Sequence, residues 1–365
     1  MLLLKEITRL DSRSTKELSI EELSLLRTEL ESSSVIREIE NQRRPKRGGI
    51  VYPFVSLLLL AMWKEIRSQT YEGTLKDLDN RDLIYLGLRR KPSVGTVCHF
   101  MTRVLPKYCE DIGDELTEAV LKAMDERIFT LDSTPLEAGR YNYQAKYNPH
   151  YEIRMDKSHI LMASGYPMKQ IHTDGLAGDN PLARPLLDHL RTIPMDRREG
   201  DVFMADGGYD CFETYADAWM ATGCVMVCNQ GVDAVFHADV DDARILKEFN
   251  TLRDVRGYDP EMKHDMDSVL RFLCTNGRRR LVGMYLRNIS MLESERYDGK
   301  DTRRQVCESA RRQVCESAHR AFKRWLQFDI RGLRRSTRKV RIMCRFLFLQ
   351  LLSTLFKGFR LTETS

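Results

Sequence analysis

No Cys-x-x-Cys pair occurs in this chain, and its nine cysteines, scattered from Cys98 to Cys344, follow no regular frame. That excludes a zinc-ribbon pattern or a disulfide scaffold and points to reduced cytosolic thiols. Cys224 and Cys228 bracket Cys-Val-Met-Val-Cys, which reads as a buried strand and not as half of a metal site. The N-terminus turns acidic after Met-Leu-Leu-Leu-Lys-Glu, so no signal peptide is expected. Long apolar runs are missing too. The most apolar windows, Phe54 to Trp63 and Ile342 to Phe356, are too short to span a bilayer, and the second is interrupted by Arg345 and Gln350. A membrane protein is therefore not expected, and the cytoplasm is the expected location.

What remains is the balance of a globular protein: 365 residues, 42% hydrophobic and 30% charged, enough for two or three packed units. The net charge of +5 is unevenly spread. Between Arg320 and Arg345 stand 10 basic residues against a single acid, Asp329, and Arg43, Arg44, Lys46 and Arg47 form a second knot. Clusters of this kind attract polyanions.

Up to about residue 125 the periodicity is helical. Ser19 and Glu22 make a capping box ahead of the stripe Ile20, Leu23, Leu26 and Leu30. Further helices are predicted over Tyr52 to Ile66, over Leu75 to Leu88, and after Ser93, which can cap a helix bearing Val97, Met101 and Val104. From Arg127 the pattern changes to short apolar runs between turns. Strands are predicted at Ile128 to Leu131, Ser158 to Ala163, Met168 to Thr173, Val202 to Ala205 and Cys224 to Cys228, with helices at Pro181 to Ile193 and Phe212 to Ala221. Three neighbouring strands followed by helix, strand, helix, strand is the order of an RNase H-like core, an α/β mixed sheet flanked by helices.

The expected units are a helical domain at 1–125, the first part of the core at 126–231, and an insertion at 232–300. A Glu-bearing core helix at 301–330 and a basic tail with a last helix at 331–365 complete the chain. Within the insertion a hairpin is predicted, Val269 to Cys274 and Leu281 to Leu286, around Asn276-Gly277. One repeat stands out: Arg-Arg-Gln-Val-Cys-Glu-Ser-Ala at 303–310 recurs at once at 311–318.

Asp132 follows the apolar run Ile128 to Leu131 and Asp206 follows Val202 to Ala205, so both carboxylates are expected at strand ends. Gly207-Gly208 lets the chain turn sharply after the second. Either aspartate alone has an ordinary explanation as a cap or turn. A third acid changes the reading, because a pair of Mg²⁺ ions needs several oxygen ligands from different segments. Glu316 is the candidate. On a helix it shares a face with Arg312 and Lys323, although the same charges would also suit a solvated helix surface.

With these residues in view, the chain resembles the DDE transposases of bacterial and archaeal insertion sequences, whose catalytic core is RNase H-like. Leu-Asp-Ser-Thr at 131–134 is similar to the first-Asp motif and Ala-Asp-Gly-Gly-Tyr-Asp at 205–210 to the second. Arg312, Glu316 and Lys323 match the Arg-Glu-Lys part of the Tyr-Arg-Glu-Lys signature, but Ser309 stands where its tyrosine would be. The segment from Tyr52 to Val104 is similar to the helical domain that precedes the core in many of these proteins.

The resemblance implies Mg²⁺-dependent cleavage at transposon ends and strand transfer into target DNA. It further implies two Mg²⁺ ions on Asp132, Asp206 and Glu316, with Mn²⁺ able to substitute, and a homodimer on double-stranded DNA. Arg312, Lys323 and the tail residues Arg334, Arg335, Arg338 and Lys339 are expected to contact phosphates. His159 and His319 are not expected to hold metal. An inactive DNA-binding remnant and a stand-alone nuclease are the alternatives. The duplication bears on the choice, since its upstream copy offers Arg304 and Glu308 but has Cys315 where a lysine is needed. Eight helical residues advance about 12 Å and turn the face by roughly 80°, so Glu308 and Glu316 cannot serve one site.

Overall fold

The computed structural model describes residues 18–43, 52–138, 142–195, 201–228, 235–297 and 335–357. The Glu-bearing core helix expected at 301–330 lies outside them. Among the described residues no helix is long and apolar enough to cross a membrane.

The N-terminal unit is helical: α1 (Ile20–Ser32), α2 (Ser34–Gln42), α3 (Phe54–Ile66), α4 (Tyr71–Asp77), α5 (Asn80–Tyr85), α6 (Val94–His99) and α7 (Cys109–Ala123). The Ser19–Glu22 capping box starts α1, and Ile20, Leu23, Leu26 and Leu30 are its buried stripe, as the spacing predicts. The helix predicted over Leu75 to Leu88 is broken in two. Asp79 caps a fresh start, its carboxylate accepting from the Asp82 amide at 2.8 Å while Asp82 returns the contact at 3.0 Å. Helix α3 is buried nearly all round, with Leu57 to Met62 at the centre of the helical core.

A six-stranded mixed sheet follows, made of β1 (Ile128–Glu137), β2 (Lys146–Asn148), β3 (Ile153–Ala163), β4 (Tyr166–Asp174), β5 (Val202–Ala205) and β6 (Met226–Cys228). Strands β1, β3 and β4 pair antiparallel, β5 and β6 join β1 in parallel, and β2 pairs with the start of β3. The fold is thus mixed α/β. Helices α8 (Asn180–Thr192) and α9 (Phe212–Thr222) pack on one face against Phe129, Leu131, Leu161 and Phe203.

The segment after β6 folds as α10 (Asp242–Thr251), α11 (Met266–Thr275) and α12 (Arg279–Tyr297). The hairpin predicted here is absent: Val269 and Leu273, and Val282 and Leu286, are buried at four-residue spacing, which is a helical stripe. Asn276-Gly277 ends a helix instead, with Gly277 at φ +82°. These helices pack into the same core as α8 and α9.

The last helix, α13 (Arg335–Lys357), agrees with the predicted last helix but starts inside the segment read as a basic tail. It is no free basic tail. Ile342, Phe346 and Leu349 cover Leu136, Ile160 and Met162 on the second face of the sheet, while Leu347, Phe348, Leu351 and Leu352 enter the N-terminal helical core. Its arginines follow the same 3–4 residue spacing inward. Arg345 and Arg341 meet the buried carboxylate of Glu65 at 2.6 and 3.3 Å, and Lys64 meets it at 2.7 Å. Burial pushes the Glu65 carboxyl up, but Arg345, Lys64 and Arg341 outweigh it and hold it down at about 2.

Candidate active site

Strand β5 pairs with β1 only from Ile128↔Val202 to Leu131↔Ala205. Asp132 and Asp206 are the next residues on each strand, so they leave the parallel ladder level with each other and on one side of the sheet. Asp132 is not at the end of its own strand, as the sequence suggested. Strand β1 continues to Glu137 against β3, with Asp132 opposite Ile160. What ends at this point is the parallel partner, and that opens a gap in the sheet beside Asp132. Asp206 is exposed and Asp132 partly so, which leaves the pair open to solvent. Their carboxylates also accept from the next backbone amide, Asp132 from Ser133 at 2.7 Å and Asp206 from Gly207 at 2.8 Å.

The turn after Asp206 is fixed by a third carboxylate. Asp179, just ahead of α8, receives Lys157 Nζ at 2.7 Å and lies 3.3 Å from His159 Nδ1, while His159 Nε2 meets Thr173 Oγ1 at 3.0 Å. Burial raises the Asp179 carboxyl, but contacts from His159 and Lys157 prevail and hold it at about 2. It is therefore an anion at neutral pH. A side chain at position 208 would bring its Cβ to 2.7 Å from Asp179 Oδ2, so the carboxylate or the turn would have to shift to admit it. Asn180, with its amide nitrogen toward the loop, donates to the Gly208 and Tyr209 carbonyls at 3.2 Å each. The buried Tyr209 phenol is pushed far up by burial and then by Asp179, Asp132 and Asp206, so all three carboxylates act on one buried point.

The loop's last residue, Asp210, is clamped from the insertion. Arg287 of α12 donates to both of its oxygens, at 2.9 and 2.8 Å, and Tyr215 donates to Oδ1 at 3.2 Å. Sequence reasoning missed Asp179, Lys157 and Arg287. Asp179 was masked by its neighbour Asn180, which also looks like a helix cap, and no local spacing signals a pair as distant in sequence as Asp210 and Arg287.

Glu316, Arg312, Lys323 and Arg334 lie outside the described residues, as does Glu308. So does the side chain of Arg335. Lys339 is exposed on the first turns of α13. Arg338 is not. It is fully buried, 3.2 Å from Asp156 Oδ2 and donating to the Leu136 carbonyl at 3.1 Å, so the expectation that it contacts DNA is corrected. His159 is buried in the Asp179 network. Among the described residues no group of three or more His, Cys, Asp or Glu side chains is arranged to hold a metal ion. Asp132 and Asp206 stand at adjacent positions just past the end of the β1–β5 ladder, and carboxylates are the hard oxygen ligands that Mg²⁺ or Mn²⁺ takes. No family model matches the chain, and no curated protein or solved structure is significantly similar to it.

Proposed function

We propose that the chain is a DDE-type transposase, cutting DNA at the ends of a mobile element and joining them to a target. The observation that carries this reading is the level placement of Asp132 and Asp206 where the parallel ladder of β1 and β5 stops. Three antiparallel strands with two further strands added in parallel to β1 also agree with an RNase H-like core.

Under this reading Asp132, Asp206 and Glu316 would hold the Mg²⁺ ions, which when bound would lower the pKa of the attacking water and stabilise charge on the leaving oxygen. The chain's own residues supply position. Gly207-Gly208 brings the backbone close beside the ligands, Asp179 with Lys157 and His159 braces that turn, and Arg287 fixes its far end through Asp210. Exposed Lys339, with Arg312 and Lys323, pairs with phosphates independently of base sequence. Double-stranded DNA and a second copy of the chain are the proposed partners.

The test is Mg²⁺-dependent cleavage of a plasmid carrying the element's ends. Asp132→Ala and Asp206→Ala should each lower the rate by about 10³-fold or more, because losing a ligand removes several kcal/mol of charge stabilisation. Binding to the same DNA should persist. Undiminished nicking in either variant overturns the assignment. Tight binding with no cleavage by the wild type supports the inactive-remnant reading, which the duplication at 303–318 favours.

A further inference from the structure

Three tyrosines within nine residues are among the most exposed large side chains of the described molecule: Tyr143 at 76%, Tyr147 at 53% and Tyr151 at 42%. They belong to the excursion between β1 and β3, where β2 forms a short hairpin with the start of β3. Glu152 is the only acid of residues 142–154, against Lys146, His150 and Arg154. An isolated exposed tyrosine needs no explanation, but a cluster interleaved with cations does.

The hairpin is rigid. Asn148 accepts from the His150 and Tyr151 amides at 2.9 and 3.3 Å, closing the turn. Its amide also donates to the Gly175 carbonyl at 2.6 Å, which ties the hairpin to the β4–α8 connection that carries Asp179. Arg154 is anchored by a bond to the Ala145 carbonyl at 3.0 Å, and its guanidinium lies 5.6 Å from the centre of the Tyr143 ring. Tyr147 is paired directly across from Arg154. Tyr143, Arg154 and Tyr147 therefore form one short row.

Register decides which way this row faces. Ile160 is opposite Asp132 on β3 and shares its face; counting back by twos, Ser158, Asp156 and Arg154 share it as well. The tyrosine row is thus on the same face of the sheet as the Asp132–Asp206 pair, six residues along β3, or roughly 20 Å. That span equals about six nucleotides of one strand. Between the two lies the first part of α13, pinned by Arg338 to Asp156 and carrying exposed Lys339.

We infer that Tyr143 and Tyr147, with Arg154 between them, form a stacking platform for unpaired bases of the DNA strand that is cut at the Asp132–Asp206 site. The inference rests on the DNA-processing reading. Planar rings beside a guanidinium suit base faces, which every nucleotide offers, and the surrounding cations suit the backbone. Its role is to grip a strand that has been locally opened about six nucleotides from the site of chemistry.

The test uses the full chain and three labelled probes of one mixed sequence: a single strand of about 12 nucleotides, its duplex, and the strand with 2-aminopurine at successive positions. Tyr143→Ala with Tyr147→Ala should weaken single-strand binding by roughly 10- to 100-fold, from the loss of two stacked bases, and duplex binding by much less. It should also abolish the quenching of 2-aminopurine. Tyr143→Phe with Tyr147→Phe should keep both, since the ring and not the hydroxyl is at work. Intact duplex binding with single-strand affinity unchanged in the alanine pair overturns the platform alone, as does an alanine pair that alters only the oligomeric state. Failure of the wild type to bind any DNA overturns the platform and the transposase reading together.

Discussion

Replacing Glu65 by glutamine removes one negative charge from a buried site that holds three positive ones. The carboxylate is almost fully enclosed between α3 and α13, with Arg345 Nε and Nη2 at 2.8 and 2.6 Å from Oε2 and Lys64 and Arg341 on Oε1. Glutamine keeps the shape but takes away the negative charge that Lys64, Arg341 and Arg345 share, and breaking comparable buried pairs costs about 3–5 kcal/mol. The depressed carboxyl gives a figure of the same order. A carboxyl held at about 2 in place of its ordinary 4.5 corresponds to about 3 kcal/mol. Its sign follows from the depressed folded value: the stabilisation is complete above pH 4.5 and is lost as pH falls toward 2. Urea unfolding of wild type and Glu65→Gln at pH 7 and at several points down to pH 3 measures both effects. The variant should be destabilised at pH 7 by that amount, with a flatter acid limb. A difference below about 0.5 kcal/mol at pH 7, or parallel acid limbs, would refute the reasoning and mean that α13 is held by its apolar stripe alone.

Four further outcomes follow. Gly208→Ala places a methyl 2.7 Å from Asp179 Oδ2, so the Asp179 carboxylate or the turn after Asp206 must shift; cleavage should fall by roughly 10- to 100-fold with DNA binding unchanged, and a fully active variant would show that the site tolerates the shift. Arg338→Ala should destabilise the fold by about 3–5 kcal/mol, because Asp156 loses a buried partner, yet leave the salt dependence of DNA binding as it was. Lys339→Ala should do the reverse, lowering the salt slope by about one and leaving unfolding unaffected; the two are separated by a salt titration and a urea melt. Glu316→Gln should eliminate cleavage and Glu308→Gln should be nearly silent, since Lys323 follows the second repeat in the matching register; the opposite result would assign the register to the upstream copy.

The two aspartates were legible because each follows an apolar run long enough to be a strand, and the parallel pairing that sets them level follows from that placement. The extension of β1 to Glu137 was not legible, since Asp132, Ser133 and Thr134 carry no apolar alternation to mark a strand. In α11, Val269 to Cys274 is a short apolar run that fits a strand or a buried helix equally, and Asn276-Gly277 suits a hairpin as well as a helix end. Arg338 and Arg345 were misjudged by composition. Counted at 3–4 residue steps they lie on the stripe of Ile342, Phe346 and Leu349, and that spacing, more than the sum of charges, foretold their burial. The braces around the site, Asp179 with Lys157 and Arg287 with Asp210, join residues brought together only by the sheet and by the packing of α12. No local pattern encodes them.

Under the proposed function Asp132 and Asp206 jointly hold a divalent ion with Glu316 as their third ligand. Iron-directed backbone cleavage tests it without knowledge of the DNA ends. Fe²⁺ binds hard oxygen sites and, with ascorbate and peroxide, cuts the polypeptide beside the bound ion. Cuts are expected next to residues 132, 206 and 316, competed away by Mg²⁺ or Mn²⁺ and lost in Asp132→Ala with Asp206→Ala. Cuts elsewhere, cuts at 308 in place of 316, or a pattern that survives the double substitution would contradict it.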